Sequence, residues 1–292
     1  MPGQQGPVLS DAPPDAGGTH PHRCAVWGHP VSHSLSPALH RAAYAHLGLD
    51  WHYERHEVVA DELSGFVAGC GPDWRGLSMT MPLKEAALAL GEVDDLARLA
   101  GASNTLVFGG ALGGADRSPR LFNTDVGGLV DALTAGGAAG ARRATVLGSG
   151  ATARSTLVSL ARLGVDEVTV VARTPARAAV LVPLAETLGV RLRLQPWEEP
   201  VGPNDLLVST VNAGAADDRA EELAEVSRCV FDVIYHPWPT PLAQAAAARD
   251  RVVLNGLDLL VHQAVRQIEL MTEASVPAAV LYRAGHAALA VG

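Results

Sequence analysis

Lys84 is the only lysine among the 22 basic residues of this 292-residue chain. It lies in the stretch GLSMTMPLKEAALAL, residues 76–90, two positions after Pro82 and at the start of a predicted helix. Arginine keeps its proton in proteins, whereas lysine can release one and take it back. Beside a carboxylate and a bound substrate, an ammonium group can therefore pass a proton and polarise a carbonyl oxygen. We expect Asp125, in the stretch FNTD, to be that carboxylate. Chance placement of the one lysine is the competing interpretation.

Other polar side chains collect where apolar strands of the first half end. Thr80, Asn104 and Asp125 each close such a strand, the position at which open α/β sheets bind ligands. Ser34 and Ser36 lie in GHPVSHSLSP, at the start of a predicted helix. Hydroxyl groups at a helix N-terminus can hold a carboxylate, and Ser36 is also expected to be the N-cap of that helix.

The stretch VLGSGATAR, residues 146–154, is typical of a dinucleotide-binding loop. Gly148 permits a tight turn after a strand, and Gly150 lets the backbone approach a pyrophosphate. The helix that starts at Ala151 offers N–H groups and a partial positive charge to that anion. The third glycine of the common pattern is absent, so an ordinary strand-to-helix turn is the alternative.

The end of the next strand, VVARTPAR, predicts which dinucleotide is bound. NAD enzymes usually place an acid here for the ribose 2′-hydroxyl, whereas this chain has Arg173, Thr174 and Arg177. Guanidinium groups match a 2′-phosphate, which favours NADP over NAD. The alternative is that these arginines merely face solvent in a loop.

Strand-like and helix-like segments alternate from Arg23 onward, which predicts an α/β fold with a largely parallel sheet. The first half contains predicted strands at 24–28, 51–58 and 76–80, a hairpin at 102–108 and 120–123, and helices at 36–48, from about 61, 83–90, 93–100 and 125–137. The second half contains predicted strands at 143–150, 167–173, 191–195, 205–210, 229–234 and 251–255, and helices at 151–164, 175–189, 256–272 and 277–289. The helix at 175–189 is predicted despite Pro183.

Composition restricts the classes of partner and compartment. The net charge is -9 and no basic stripe offsets it, which argues against nucleic acid. Three widely spaced cysteines without a C-x-x-C motif argue against a disulfide framework or a metal site and fit a cytoplasmic protein. No apolar run approaches the roughly 20 residues of a membrane span. Residues 1–22 are rich in Pro and Gly and are predicted to form a disordered tail, without the apolar block of a signal peptide.

Several motifs in the same order resemble the shikimate dehydrogenase family. They are HSLSP (33–37), TMPLK (80–84), GASNT (101–105), NTD (123–125), GSGATAR (148–154), ART (172–174), DVIYHPWPTPL (232–242) and NGLDLLVHQA (255–264). The resemblance implies a substrate-binding domain at 23–124, an NADP-binding Rossmann domain at 125–257, and C-terminal helices at 258–292 that pack back on the first domain. It implies a cleft between the domains and the NADPH-dependent, reversible reduction of 3-dehydroshikimate to shikimate.

The resemblance also implies roles for individual residues. Lys84 and Asp125 would be the catalytic pair, and Ser34, Ser36 and Tyr235 would hold the substrate carboxylate. The substrate hydroxyls would be bound by that pair and by Thr80, Asn104 and Gln263. Gly256 would let the nicotinamide approach the backbone, while the NADP phosphates would be held by Gly148, Gly150, Ala151, Arg173, Thr174 and Arg177. His33, His236 and His262 flank these motifs and are expected to be structural or to support the residues that contact the substrate.

Some positions depart from the family pattern, and alternatives stay open. Ser78 replaces a common Asn, Ala172 replaces an Asn before the Arg-Thr pair, and Asp258 stands where Gly is usual. A quinate/shikimate dehydrogenase and an aminoshikimate dehydrogenase are the alternatives within the class. A non-catalytic nucleotide-sensing protein on the same scaffold and a folate-linked dehydrogenase are the alternatives outside it. The expected partner is a small-molecule substrate. The protein is expected to be a monomer or a homodimer and not to bind a membrane.

Overall fold

The computed structural model describes residues 22–109 and 117–290, which form two six-stranded sheets with helices packed against them. The predicted tail therefore lies outside the described residues, except for His22, whose backbone oxygen accepts from the His52 amide at 2.9 Å. Within the described residues, no helix is long and apolar enough to cross a membrane.

The first sheet is mixed. Its strands are β1 (Arg23–Gly28), β2 (His52–Glu57), β3 (Trp74–Met79), β4 (Glu92–Val93), β5 (Thr105–Phe108) and β6 (Pro119–Phe122). Their order in the sheet is β2-β1-β3-β5-β6-β4, with β1 parallel to both neighbours and β5 antiparallel to β3 and β6. The predicted pairing of β5 with β6 is confirmed, whereas the connection between them lies outside the described residues. The two-residue strand β4 was not predicted.

Five helices belong to this half: α1 (Ser36–Leu47), α2 (Leu63–Ala68), α3 (Leu83–Ala86), α4 (Asp95–Ala100) and α5 (Thr124–Ala135). The prediction that Ser36 is an N-cap is wrong. The N-cap of α1 is Leu35, which already has helical backbone angles and makes no side-chain cap. Ser34 Oγ instead accepts from the Ser36 amide at 3.3 Å. The predicted stop at Gly48 is confirmed, because this glycine adopts the left-handed conformation that ends many helices.

The second sheet is entirely parallel, as the βαβ pattern predicted. Its strands are β7 (Arg143–Leu147), β8 (Glu167–Ala172), β9 (Arg191–Pro196), β10 (Asn204–Ser209), β11 (Ser227–Asp232) and β12 (Val252–Asn255). They lie in the order β12-β11-β10-β7-β8-β9. Buried residues of β7 and β8 belong to two cores: Val146 and Val170 pack in one, and Leu147 and Val171 in the other.

The helices of the second half are α6 (Ala151–Arg162), α7 (Pro175–Ala178), α8 (Val182–Leu188), α9 (Ala220–Val226) and α10 (Pro241–Ala247). The single helix predicted at 175–189 is wrong, because the chain forms α7, a short 3-10 turn and then α8. Pro183 has no N–H for an intrahelical bond, and its ring crowds the preceding turn, so it is tolerated only in the first turn of α8.

Two closing helices, α11 (Gly256–Thr272) and α12 (Ala278–Leu289), pack against the first half. Leu39 of α1 shares a buried cluster with Val261, Ile268 and Leu281 of the closing helices. Helix α5 also packs closely on α11, since a Cβ on Gly128 would come within 2.7 Å of a backbone nitrogen of α11. These contacts agree with the predicted return of the chain, while the boundaries 23–124, 125–257 and 258–292 stay predictions.

Candidate active site

The ammonium group of Lys84 and the carboxylate of Asp125 form an ion pair. Lys84 lies in the single turn of α3 and Asp125 in the first turn of α5, so each follows a strand of the first sheet. Lys84 Nζ donates to Asp125 Oδ2 at 2.7 Å. The two side chains are only 16% and 8% exposed, so the pair is largely shielded from bulk water. Such a pair can transfer a proton to or from a substrate beside it.

Asn104 orients the other oxygen of this carboxylate. Its amide nitrogen donates to Asp125 Oδ1 at 2.8 Å and lies 3.3 Å from Gln263 Oε1. Its amide oxygen accepts from the backbone N–H of Thr124 at 2.8 Å, which fixes which way the amide faces. Both oxygens of Asp125 are therefore engaged by donors that hold the carboxylate in place.

A cleft of about 300 Å³ opens above this pair, at the carboxyl ends of β1 and β3. The structure brings together all of the predicted substrate-binding and catalytic residues and Gly256 in its walls, namely Ser34, Ser36, Thr80, Lys84, Asn104, Asp125, Tyr235, Gln263 and Gly256. Serine, threonine, tyrosine and amide side chains can each bond to carboxylate or hydroxyl groups. The cleft can therefore hold a small, polar molecule that carries both kinds of group.

Gly256, at the start of α11, allows a close approach between two backbone segments. A Cβ at this position would lie 2.0 Å from the backbone oxygen of Val233. No side chain fits in that space, so only glycine is compatible with this backbone. Tyr235 follows closely in the same loop, and burial raises the pKa of its hydroxyl group, which stays protonated and can donate a hydrogen bond.

A second cavity of about 470 Å³ lies beside the glycine-rich loop of the second sheet. Gly148, Arg173, Thr174 and Arg177 line it, as predicted for a nucleotide site. Gly148 has a φ of +102°, a conformation that side chains rarely allow. By contrast, Gly150 and Ala151 lie at the N-terminus of α6 without lining this cavity.

Arg154, from the same motif, ties α6 to the first half of the chain. Its guanidinium donates to the backbone oxygen of Ala100 at 3.0 Å and pairs with Glu85 at 2.5 Å. Glu85 is the neighbour of Lys84 on α3. This contact therefore joins the helix of the nucleotide loop to the helix that carries the ammonium group.

Several residues of these cavities were not predicted. Trp197 and Asn212 line the nucleotide cavity, and Thr152, Ser78 and Gln267 line the cleft. Gln267 follows Gln263 by four positions on α11, so helical periodicity could have placed it on the same face. Trp197 follows β9, where no motif marks it, whereas Asn212 lies in the stretch STVNAG, residues 209–214, which loosely resembles the family's loop near the cofactor.

Two predicted departures from the family pattern have structural partners. Asp258 accepts from the Asn255 amide at 2.8 Å, which completes a capping box at the start of α11, and from the Tyr282 hydroxyl at 2.9 Å. Its carboxylate thus joins α11 to α12. Ser78 accepts from the Tyr53 hydroxyl at 2.6 Å. His262 also contacts Tyr282, and burial lowers the pKa of its imidazole.

Comparisons with known proteins agree with this geometry. The family model described as the shikimate dehydrogenase substrate binding domain matches residues 26–106. A shikimate dehydrogenase (NADP(+)) of Methanocella arvoryzae is 34% identical over 272 residues, which cover 90% of this chain and 98% of that protein. The structure of Mycobacterium tuberculosis shikimate dehydrogenase is similar with a TM-score of 0.84 and 43% identity, over 91% of this chain and all of that one. The Thermus thermophilus enzyme in complex with NADP(H) and shikimate is similar with a TM-score of 0.77 and 34% identity, over 91% and 99% of the two chains. This chain therefore belongs to the shikimate dehydrogenase family.

Proposed function

We propose that this protein catalyses the NADPH-dependent, reversible reduction of 3-dehydroshikimate to shikimate. The observation that carries the proposal is the Lys84–Asp125 pair, held at 2.7 Å at the base of a polar cleft. Shikimate carries one carboxylate and several hydroxyl groups, which match the hydroxyl and amide side chains of the walls. Relatives that span almost the whole chain carry the same activity in their names.

The nucleotide cavity fits NADP. Gly148 lines the cavity with a φ of +102°, and Arg173 and Arg177 present exposed guanidinium groups where an acid would repel a 2′-phosphate. We propose that these residues hold the cofactor together with Thr174, and that Gly150 and Ala151 contribute N–H groups at the start of α6. When bound, NADPH supplies a hydride to the ketone carbon.

Lys84 stabilises the negative charge that develops on the ketone oxygen. Its ammonium group donates a hydrogen bond to that oxygen and delivers the proton that turns it into a hydroxyl group. Asp125 holds Lys84 in position and accepts a hydrogen bond from the same substrate hydroxyl. In the oxidation of shikimate the two groups act in reverse, with Lys84 taking the proton as the hydride leaves.

The remaining residues of the cleft orient the substrate. We assign the substrate carboxylate to the hydroxyl groups of Ser34, Ser36 and Tyr235, which can all donate. Thr80, Asn104 and Gln263 take the ring hydroxyls together with the ion pair. Orientation of this kind lowers the barrier because the reacting atoms are already aligned when the cofactor binds.

A panel of substrates and cofactors tests the proposal. Shikimate, quinate and aminoshikimate are each assayed with NADP+ and with NAD+, and the formation of reduced cofactor is followed by absorbance. The proposal predicts the highest kcat/KM for shikimate with NADP+. A preference for quinate or aminoshikimate would assign the chain to one of those related activities. Binding of NADP+ without turnover of any of the three would instead indicate a nucleotide-sensing protein, an alternative that the intact Lys84–Asp125 pair disfavours.

We also propose that the chain works in the cytoplasm, as a monomer or a homodimer, with domain boundaries near residues 124 and 257. Three free cysteines, two of them buried, are consistent with a reducing compartment. Light scattering of the purified protein measures the oligomeric state, and limited proteolysis locates the boundaries.

A further inference from the structure

A buried glutamine lies in the innermost wall of the candidate active site. Gln267 of α11 is 1% exposed, and all of its hydrogen-bonding positions are engaged. Its amide nitrogen donates to the backbone oxygen of Asn104 at 3.2 Å and to Thr105 Oγ1 at 3.0 Å. Its amide oxygen accepts from Ser78 Oγ at 2.8 Å and lies 3.2 Å from His40 Nε2. One side chain therefore joins α1, β3, β5 and α11 at this wall.

The directions of these hydrogen bonds follow from one backbone atom. The carbonyl oxygen of Asn104 can only accept, so the NH₂ group of Gln267 must face it. The amide oxygen of Gln267 then faces His40, which must carry its hydrogen on Nε2. Burial lowers the pKa of His40 to about 3, so the ring is neutral near pH 7. Tyr53 donates to Ser78 at 2.6 Å, which leaves the Ser78 proton free for Gln267.

Hydrogen bonds also connect Gln267 to the ion pair. Thr105 receives an N–H from Gln267 and donates its own proton to Asn104 Oδ1 at 2.9 Å. The nearby Thr124 hydroxyl, 3.3 Å from Thr105 Oγ1, donates to the same Asn104 oxygen. The amide nitrogen of Asn104 then donates to Asp125 Oδ1 at 2.8 Å. The hydrogen bonds therefore run in one direction from Gln267, through Thr105 and Asn104, to the carboxylate that binds Lys84.

We infer that Gln267 is a positioning residue, which holds Asn104 against Asp125 through Thr105 and through the Asn104 backbone. The inference rests on the proposed function. The Thr124 amide and hydroxyl group also donate to Asn104 Oδ1, so loss of the Gln267 contacts displaces the Asn104 side chain without turning its amide over. A displacement of Asn104 moves Asp125 and, with it, the ammonium group of Lys84, which donates the proton to the substrate.

Gln267→Glu tests this arrangement with almost no change in shape. The new carboxylate still accepts from Ser78 and His40, but it cannot donate to the Asn104 backbone. It also draws the Thr105 hydroxyl away from Asn104 Oδ1. We expect kcat for shikimate oxidation at saturating NADP+ to fall about 10- to 10²-fold, the range expected for a misplaced catalytic group, and to fall by more than KM rises.

Thr105→Val directly removes the hydrogen bond from the Thr105 hydroxyl to Asn104 Oδ1. This variant tests the inference even if Gln267→Glu does not fold. We expect a similar fall in kcat, and recovery to near the wild-type value in Thr105→Ser, which restores the hydroxyl. The double variant Gln267→Glu/Thr105→Val should be no slower than the poorer single variant, because Gln267→Glu already breaks the Thr105 hydrogen bond that Thr105→Val removes.

Gln195→Glu is the matched control. Gln195 is 2% exposed, and its amide donates to the backbone oxygens of Glu199 and Pro200, away from Asp125. This variant should lose thermal stability and keep the wild-type kcat at saturating NADP+.

Three results would overturn the inference in a protein that oxidises shikimate. The first is a wild-type kcat in both single variants when both are folded. The second is a double variant whose fold loss of kcat is the product of the two single losses. The third is a Thr105→Ser variant that is as slow as Thr105→Val. A wild-type protein that does not oxidise shikimate would overturn the proposed function and the inference together, so the two failures are distinct.

Discussion

Replacing Lys84 by arginine keeps a positive charge beside Asp125 but removes the group that can release a proton. In the structure Lys84 Nζ lies 2.7 Å from Asp125 Oδ2, and the side chain is 16% exposed. A guanidinium could still pair with the carboxylate, yet it stays protonated during turnover. We therefore expect Lys84→Arg to restore little of the activity that Lys84→Ala loses.

The size of the loss follows from the role assigned to the ammonium group. Removing a general acid or base typically costs ~10²- to 10⁴-fold in rate, or about 3–5 kcal/mol of transition-state stabilisation. We expect Lys84→Ala to lower kcat by that factor with little change in the KM for shikimate. The stability cost should be smaller, about 1–3 kcal/mol, because Asn104 still donates to the carboxylate, which loses only one of its two donors.

The assay is the initial rate of NADPH formation from shikimate, with thermal unfolding measured on each variant. Glu85→Gln is the control, since Glu85 is the next residue of α3 and its carboxylate pairs with Arg154, away from the cleft. It should keep the wild-type kcat. Near wild-type turnover by Lys84→Arg would refute the idea that this position needs a group that can lose its proton.

The cofactor, the backbone at Gly256 and the buried histidine give three more predictions. Arg173→Asp should lower kcat/KM for NADP+ by about 10- to 10²-fold, as expected for losing a charged hydrogen bond, and should affect NAD+ much less; an equal loss with both cofactors would argue against a 2′-phosphate contact. Gly256→Ala should lower the melting temperature, because its Cβ would lie 2.0 Å from the Val233 oxygen, and an unchanged melting temperature would show that the loop can move away. Burial lowers the pKa of His40 from 6.5 to about 3, so the unfolded chain binds this proton first and the folded state loses stability as the pH falls from about 6.5 toward 3. Between pH 6.5 and pH 4, the free energy of unfolding should therefore fall by about 3 kcal/mol less in His40→Gln than in the wild type, as measured by urea unfolding. Equal decreases in the two proteins would contradict the assignment.

The parallel sheet and the contents of the cleft could be predicted because both follow from local rules. Strands that alternate with helices usually lie parallel, and the residues that follow β3 and β6 therefore meet at one edge of the first sheet. The prediction that Asn104 closes a strand is wrong: it precedes β5, whose amino end lies at the same edge because β5 is antiparallel to β3 and β6. This reasoning brought Lys84 and Asp125 together although they are 41 residues apart. The glycine-rich loop and the arginines after β8 were placed in the same way.

Other features depend on tertiary packing or on a single residue that breaks a pattern. His40 and Gln267 are 227 positions apart, and their contact exists only because α11 returns to α1. Helical periodicity at 175–189 was overridden by the missing N–H of Pro183, which starts a new helix. Ser36 fits the composition of an N-cap, but Leu35 already has helical angles, so the cap position lies one residue earlier.

The most direct test of the central claim is the absorbance of NADPH when the purified wild-type protein is mixed with shikimate and NADP+. We predict steady formation of NADPH that depends on shikimate, with a higher kcat/KM for NADP+ than for NAD+. No formation of reduced cofactor above the level without shikimate, with either cofactor, would contradict the account.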